Sequence, residues 1–494
     1  LNVELILSAT DGKIKEEKEE EESEDKMDRG IVRIEEITIR NFKNVKYGRV
    51  TLKNNRKNYK ASVLGLYGQN GTGKTALIDA MALLKFALCG MKVPSTYADY
   101  INIESEYATM IFKFAVEMPE KKENYTVIYE FDLKKELADE SKNVSENESI
   151  DEEQKKYKAA IANEVLSARA EGEKHRMSQI INTNTKAVFV PKSRYKEFIG
   201  EDQDVMMNLL VDKRYTYQDS RSFLFSREFL NVIRKHSQED NYTSLLNRLV
   251  SYGHYELFII KTKNTGLITL NALPLSFMYE GEKIGASGNF VLPIDRPQTL
   301  PDKIVVLTKK MLPHMNEVLS QIVPGLTISL HDFGLQILEN GEKGHKVQLM
   351  SRKNSKEIPL RDESDGIKKI VSILQLLIMI YNRQSITVAI DELDSGLFEY
   401  LLGELLKIIS EEGKGQLIFT SHNLRPLETI DRGFVAFTTT NPENRYIRLT
   451  NVKDNNNLRD FYYRDIILGS QKEDLYDLTN NYKISLAFKK AGGM

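Results

Sequence analysis

A chain of 494 residues, 41% hydrophobic and 28% charged, is long enough for more than one core, and its formal net charge of −2 leaves any surface for a polyanion local. One cysteine, Cys89, excludes an intrachain disulfide and a cysteine-built zinc cluster and fits a reducing, cytoplasmic compartment. No stretch approaches the roughly 18 apolar residues of a membrane span, and the short Leu5-Ile6-Leu7 run soon gives way to charge, so neither a membrane anchor nor a secretory leader is expected.

Residues 11–29 are a low-complexity charged run that includes Glu19-Glu20-Glu21-Glu22, and residues 1–30 are expected to be a disordered acidic extension. Alternation at Val32, Ile34, Ile37 and Ile39, then Val50-Thr51-Leu52, predicts two strands and a turn. The apolar run Ser62-Val63-Leu64-Gly65-Leu66-Tyr67 predicts a buried strand. It feeds Gly68-Gln69-Asn70-Gly71-Thr72-Gly73-Lys74-Thr75, a complete G-x-x-x-x-G-K-[ST] loop, and residues 76–84 then predict a helix. Glycines at Gly68, Gly71 and Gly73 let the backbone wrap a phosphate chain, and Asn70 and Thr72 lie within that loop. Lys74 would reach the β- and γ-phosphates, and Thr75 would sit on Mg²⁺. Strand, loop and helix agree, which sets this apart from a chance glycine turn.

Residues 108–116 and 125–131 predict paired strands. From 133 to 300 the texture changes, and this stretch reads as a mostly helical insertion that divides one domain into two halves, 31–132 and 301–460. Within it, 134–150 is charged and serine-rich, 151–181 is helix-forming, 187–191 is a short strand, and 200–250 holds basic and aromatic helices. Lys192, Arg194, Tyr195, Lys196, Lys213, Arg214, Tyr215, Arg234 and Lys235 could meet a nucleic acid or a protein. Nearby acids favour solvated helix surfaces instead.

A helix over 301–323 re-enters the core, and 327–330, 335–338 and 346–349 predict antiparallel strands joined by polar turns. In Arg361-Asp362-Glu363-Ser364-Asp365-Gly366, Ser364 reads as the N-cap of a helix with one apolar face. With Gly366 it would form an anion site at a helix start. Ser385-Ile386-Thr387-Val388-Ala389-Ile390 then ends in Asp391-Glu392, a Walker B pattern. Asp391 would hold Mg²⁺ through water, and Glu392 would orient or deprotonate the attacking water. Another buried strand, 417–421, carries His422 at its tip, placed to bond a γ-phosphate. The catalytic candidates are therefore Glu392 and His422, and the metal candidates are Thr75 and Asp391. No histidine pair has metal spacing, and Pro301-Asp302-Lys303 lacks the partner acids of a nuclease motif. Residues 456–464 read as a docking helix, and 461–494 as a C-terminal tail.

The ordered set of P-loop, Ser-x-Gly helix start, Walker B with glutamate and switch histidine resembles the ABC-type ATPase superfamily, in its soluble RecF, SMC and OLD-like branch. Residues 37–45 look like that branch's opening strand and turn. Glu363-Ser364-Asp365-Gly366 would be a divergent signature, and Asp394-Ser395-Gly396-Leu397 the D-loop region. The resemblance spans about 31–130 and 300–460. It departs from the family pattern in lacking a placeable Q-loop glutamine around 101–107. The resemblance implies an α/β, ABC-ATPase-type P-loop fold with an antiparallel β subdomain, an ATP sandwich between the P-loop of one subunit and Ser364 of another, and hence a homodimer or higher homo-oligomer. The phrasing of 391–398 and 420–427 is similar to prokaryotic anti-phage ATPases such as the ATPase component of the PARIS system. This implies slow, regulatory ATP hydrolysis that controls a separate effector protein, a toxin or a nuclease. The alternative is a RecF-like repair ATPase that binds DNA when ATP is bound. A transporter subunit fits worse, because of the insertion and the unusual signature.

Overall fold

The computed structural model describes residues 30–52, 61–118, 123–137, 157–171, 176–200, 202–236, 241–261, 268–269, 272–280, 285–338, 341–450, 457–469 and 471–492. The acidic extension, up to residue 29, and most of the charged run 134–150 lie outside the described residues.

The chain opens with the hairpin β1 (Ile31–Phe42) and β2 (Val45–Thr51), then β3 (Ser62–Tyr67) and α1 (Lys74–Leu88). Next come β4 (Tyr107–Met118), β5 (Glu123–Leu137), β6 (Tyr157–Ala170) and β7 (Ser178–Asn182). The helices α2 (Tyr195–Phe198), α3 (Gln203–Gln218), α4 (Arg227–His236) and α5 (Asn241–Tyr255) follow. Then come β8 (Leu257–Lys261), β9 (Ile268–Thr269), β10 (Ala272–Glu280), β11 (Gly285–Pro293) and β12 (Gln298–Pro301). Helix α6 (Asp302–Ile322) leads into β13 (Leu326–Ile337), β14 (Lys343–Lys353), β15 (Lys356–Pro359) and α7 (Asp365–Asn382). The last elements are β16 (Thr387–Ile390), α8 (Glu399–Glu412), β17 (Gln416–Thr420), α9 (Pro426–Thr429), β18 (Val435–Thr438), β19 (Tyr446–Ile447), α10 (Leu458–Leu468) and α11 (Asn481–Ala491).

Two large sheets organise these elements. One is antiparallel, in the order β2-β1-β4-β5-β6-β7; the other runs β19-β18-β3-β17-β16-β8-β9 and is parallel apart from β19. Helix α1 lies between them. Its apolar residues share one core with Ile37 and Ile39 of β1, Phe112 of β4 and Leu64 and Leu66 of β3. Val63 and Tyr67 of β3 point the other way, into a second core with α6, α7 and α8. A parallel strand covered on both faces must be apolar at nearly every position, which is why β3 and β16 read as unbroken hydrophobic runs.

The α/β class and the antiparallel subdomain are as expected, and the helices predicted over 200–250 are α3, α4 and α5. The flanks of the insertion differ. Much of the helix-forming stretch 151–181 is β6 and β7, which extend the antiparallel sheet. Tertiary pairing with β5 overrides the local helix propensity of its alanines and glutamates. The short strand predicted at 187–191 is a single bridge between Val190 and Asn182. Near the other end, β8 is a core strand paired in parallel with the Walker B strand β16, so the insertion does not run unbroken to residue 300. The strands predicted at 327–330 and 335–338 are one strand, β13, with a bulge between Asp332 and Leu335. Among the described residues no helix is long and apolar enough to cross a membrane.

A buried ion cluster ties the two sheets to α1. Asp79, 1% exposed on α1, pairs with Lys43 from the β1–β2 turn and with Lys261 at the tip of β8. Lys43 also lies 4.0 Å from the Tyr100 ring centroid, and Lys261 donates to the Tyr97 hydroxyl at 3.3 Å. Removing the carboxylate would leave two cations facing each other in a nearly dry site. Asp79→Asn should cost about 3 kcal/mol or more in chemical unfolding, and replacing all three charges with apolar residues should recover most of that loss.

Candidate nucleotide-binding site

The parallel register sets three strand ends side by side. Thr420 of β17 is paired with Leu66 of β3, and Ile390 of β16 with Phe419 of β17. The P-loop, the Walker B acids and His422 therefore all leave the same edge of the sheet, the crevice at the carboxyl ends of strands where open α/β sheets bind ligands.

The loop itself is held from several sides. Gly68 has φ +148°, and a Cβ there would fall 1.9 Å from Thr438 Oγ1, so only glycine admits the tip of β18. Gly73 caps α1 in the left-handed region, and its carbonyl accepts from the Tyr446 hydroxyl at 2.9 Å. Thr72 Oγ1 donates to the Gln69 carbonyl at 2.6 Å. Asn44 donates to the Gly71 carbonyl, and the Asn44 carbonyl is itself bound by Arg445. Asn70 and Thr75 are exposed. Lys74 folds back onto its own loop, donating to the carbonyls of Gly68 at 2.7 Å and Gln69 at 3.0 Å. Burial lowers its pKa to about 8, and the nearby charges of Asp391, Asp394 and Glu392 act against that shift. A phosphate beside the amine would raise that pKa again.

The Walker B end is tied down by Thr420, whose hydroxyl donates to Asp391 Oδ1 at 2.7 Å and accepts from the Glu392 amide at 2.8 Å. Asp391 is buried, while Glu392 is exposed and has a left-handed backbone, φ +50°. That conformation is costly for a glutamate and is held by the Thr420 bond and by Lys369, whose ammonium donates to the Glu392 carbonyl at 3.2 Å. Lys369 is almost fully buried on α7, and burial lowers its pKa to about 8. Asp394 Oδ2 accepts from the amides of His422 at 3.0 Å and Asn423 at 2.9 Å, so the D-loop region positions the switch histidine through its backbone. His422 itself is exposed. With Gln69, Asn70 and Tyr463 it lines a cleft of about 380 Å³ beside the P-loop.

Ser364 caps α7 as expected, accepting from the Ile367 amide at 3.4 Å, and it is exposed. Gly366 packs so tightly on the D-loop region that a Cβ there would lie 2.6 Å from the Gly396 carbonyl. The start of α7 is thus in direct contact with the turn that holds His422.

Among the described residues, no group of three or more His, Cys, Asp or Glu is placed to hold a metal ion. Thr75, exposed, and Asp391, buried with one oxygen bonded by Thr420, offer a hydroxyl and a carboxylate, the oxygen donors that Mg²⁺ takes in small number. Sequence reasoning missed Thr438, Arg445 and Tyr446, because Thr438 and Tyr446 reach the P-loop, and Arg445 reaches Asn44 beside it, across 366 to 401 residues. It also missed Lys261, although an apolar run ending in a charge is the same signal that revealed Asp391.

Lys74→Met should lose nucleotide binding without lowering the melting temperature of the free chain, because a desolvated charge is removed. In the wild-type chain, binding should be accompanied by proton uptake near and above pH 8, and affinity should fall up to about tenfold per pH unit there; calorimetry in two buffers of different ionisation enthalpy measures both. Asp394→Ala should lower kcat by about 100-fold with little change in nucleotide affinity, read by steady-state hydrolysis and equilibrium binding.

The sequence profile of the AAA ATPase domain family matches residues 33–425. No curated protein matches. Among solved structures, the SMC head domain from Thermotoga maritima is 15% identical, covers 84% of this chain and 99% of its own, and superposes with a TM-score of 0.34. An Smc head with an extended coiled coil bound to the C-terminal domain of ScpA, from Pyrococcus furiosus, gives 12%, 85%, 96% and 0.35. The recombination mediator RecF with ATP gives 12%, 79%, 94% and 0.31. TM-scores of this size carry no weight beside the strand order and motif placement of the chain itself. Because that family profile spans most of the chain, from the first strand to the segment after His422, the chain belongs to the AAA ATPase domain family.

Proposed function

We propose that this ATPase is an ATP-gated oligomerisation switch that regulates a separate effector protein, a toxin or a nuclease, in a prokaryotic anti-phage defence system. The observation that carries the switch is the Gly366–Gly396 contact. It links an exposed helix start, suited to a phosphate presented by a second subunit, to the D-loop turn that orients His422 and to the Walker B acids. Occupancy of Ser364 from outside is thereby coupled to the geometry of hydrolysis inside. The defence assignment rests on the phrasing of 391–398 and 420–427.

In this reading Lys74 and the P-loop amides hold the β- and γ-phosphates. Ser364 and Gly366 of a second copy close over the γ-phosphate. Thr75 and Asp391 hold Mg²⁺, which neutralises charge developing on the phosphate oxygens. Glu392 takes the proton of the attacking water, and His422 donates to the γ-phosphate, sensing its loss. The left-handed backbone at Glu392 makes its aim dependent on Thr420 and Lys369. Movement of α7 on dimerisation would reach the base through Lys369, which suits a slow, controlled hydrolase.

Glu392→Gln should bind ATP, lose hydrolysis by about 100-fold or more, and accumulate as an ATP-bound dimer or larger oligomer in size-exclusion chromatography with light scattering. Ser364→Arg should bind ATP but neither oligomerise nor hydrolyse. A Glu392→Gln chain that hydrolyses at the wild-type rate overturns the Walker B assignment. A trapped oligomer that binds DNA in an ATP-dependent, salt-sensitive way would favour the repair-clamp alternative. Capture of a toxin or nuclease only in the nucleotide-bound state would favour effector control.

A further inference from the structure

A second cavity, of about 340 Å³, lies within the antiparallel sheet and the helical insertion, and it shares no lining residue with the P-loop cleft. Its charge is distinctive. Lys134 of β5, Lys186 of the loop after β7, Lys213 and Arg214 of α3, and Arg221 just beyond α3 all line it. Of these, Arg221 has a counter-charge, with its Nε 2.8 Å from Asp219. Lys213 spends its three protons on neutral carbonyls, those of Thr185 at 2.9 Å, Ala187 at 2.9 Å and Val188 at 3.1 Å. Burial lowers its pKa to about 8, and the charge of Glu164 acts against that shift. Among the described residues, Lys134, Lys186 and Arg214 make no ion pair.

The acids nearby are already engaged. Glu164, at the floor, accepts from the Tyr129 hydroxyl at 2.7 Å, the Phe223 amide at 2.8 Å, the Leu224 amide at 3.3 Å and the Ser222 hydroxyl. Glu136 accepts from the Tyr217 hydroxyl. Lys134, Lys186, Lys213 and Arg214 face a single lining carboxylate, Glu164, so the concave space keeps an excess of positive charge, and an anion seated there lowers that cost. Tyr217, Leu210, Ile161 and Phe223 supply apolar wall beside the charges. A volume of this size falls at the lower end of small-molecule sites, roughly 300–1,000 Å³, and suits a compact ligand rather than a polymer.

We propose that this cavity is a second ligand site, for a phosphate-bearing small molecule of up to mononucleotide size. Its phosphate sits among Lys186, Lys213 and Arg214, and any ring or sugar lies against Tyr217 and Phe223. The site joins β5 and β6 to α3, so its occupant would stiffen the junction between the sheet that covers α1 and the helical insertion.

The test uses the full chain carrying Lys74→Met, which removes the P-loop site, titrated by calorimetry and thermal shift with AMP, ribose 5-phosphate and inorganic pyrophosphate. One equivalent of at least one probe should bind with Kd below about 1 mM. AMP alone would indicate a nucleotide site, and all three would indicate recognition of phosphate itself. Lys186→Gln and Arg214→Gln, both exposed in the free chain, should each weaken binding about tenfold with the free chain's melting temperature unchanged. Lys213→Met should abolish binding. No saturable binding of any probe, or binding indifferent to both glutamine variants, overturns the proposal. Binding of a single-stranded oligonucleotide with none of the small probes overturns it too, in favour of a nucleic-acid face. Because the P-loop is already silent in the test chain, neither result depends on the reading of the first site.

Discussion

Everything at the nucleotide site follows from the parallel alignment of three strands. With β17 between β3 and β16, one threonine, Thr420, bonds the Walker B aspartate and the glutamate amide and stands two residues before His422. A register slip of one residue would turn Asp391 into the apolar core and Ile390 into the crevice. Such a slip would draw the Asp391 carboxylate into the core and away from the Thr420 hydroxyl that now bonds it, and that cost holds the register. The apolar strands align the tips, and the polar groups at the tips fix where the alignment stops.

A second layer of order concerns how the elements feel one another. Helix α7 begins at an exposed serine and, within two turns, contributes a buried lysine to the Glu392 carbonyl and a glycine packed against the D-loop region. The P-loop is braced in the same fashion from the opposite side, by residues of β18 and β19 and by the β1–β2 turn through Asn44. These supports combine close packing with hydrogen bonds to the Glu392, Gly71 and Gly73 carbonyls, and the buried ammonium of Lys369 sits among the charges of Asp391, Glu392 and Asp394. The buried Lys43–Asp79–Lys261 cluster then fixes α1 against both sheets, so that the helix start bearing the P-loop cannot shift without uncovering ions.

The insertion is less separate than its composition suggests. Strands β6 and β7 continue the sheet that covers α1, α5 packs against α1, and β8 returns to pair with the Walker B strand. Packed elements therefore run without a break from α3 to the helix that carries the P-loop. Charge follows a different pattern there. The basic residues of 192–215 are spread along the sequence among acids, yet the fold gathers Lys186, Lys213 and Arg214 with Lys134 around one hollow and leaves the neighbouring acids occupied by tyrosines, serine and backbone amides.

Local pattern alone determined the P-loop, the Walker B strand, the switch strand and the capped start of α7, because each is a short contiguous run whose backbone demands leave a visible mark: glycine where the chain wraps, β-branched residues where a strand is buried on both faces, serine where amides need an acceptor. Those marks agree with the family profile that covers residues 33–425. The supports behind them were decided by tertiary structure. Thr438 meeting Gly68, Asp394 holding the His422 amide, and Lys261 reaching Asp79 join residues 28 to 370 positions apart, and no periodicity spans such gaps. The strands at 157–182 were hidden for the same reason. Their alanines and glutamates are neutral or helix-favouring in isolation, and only pairing with β5 makes them a sheet, since a strand's stability lies in its neighbours whereas a helix carries its hydrogen bonds within itself.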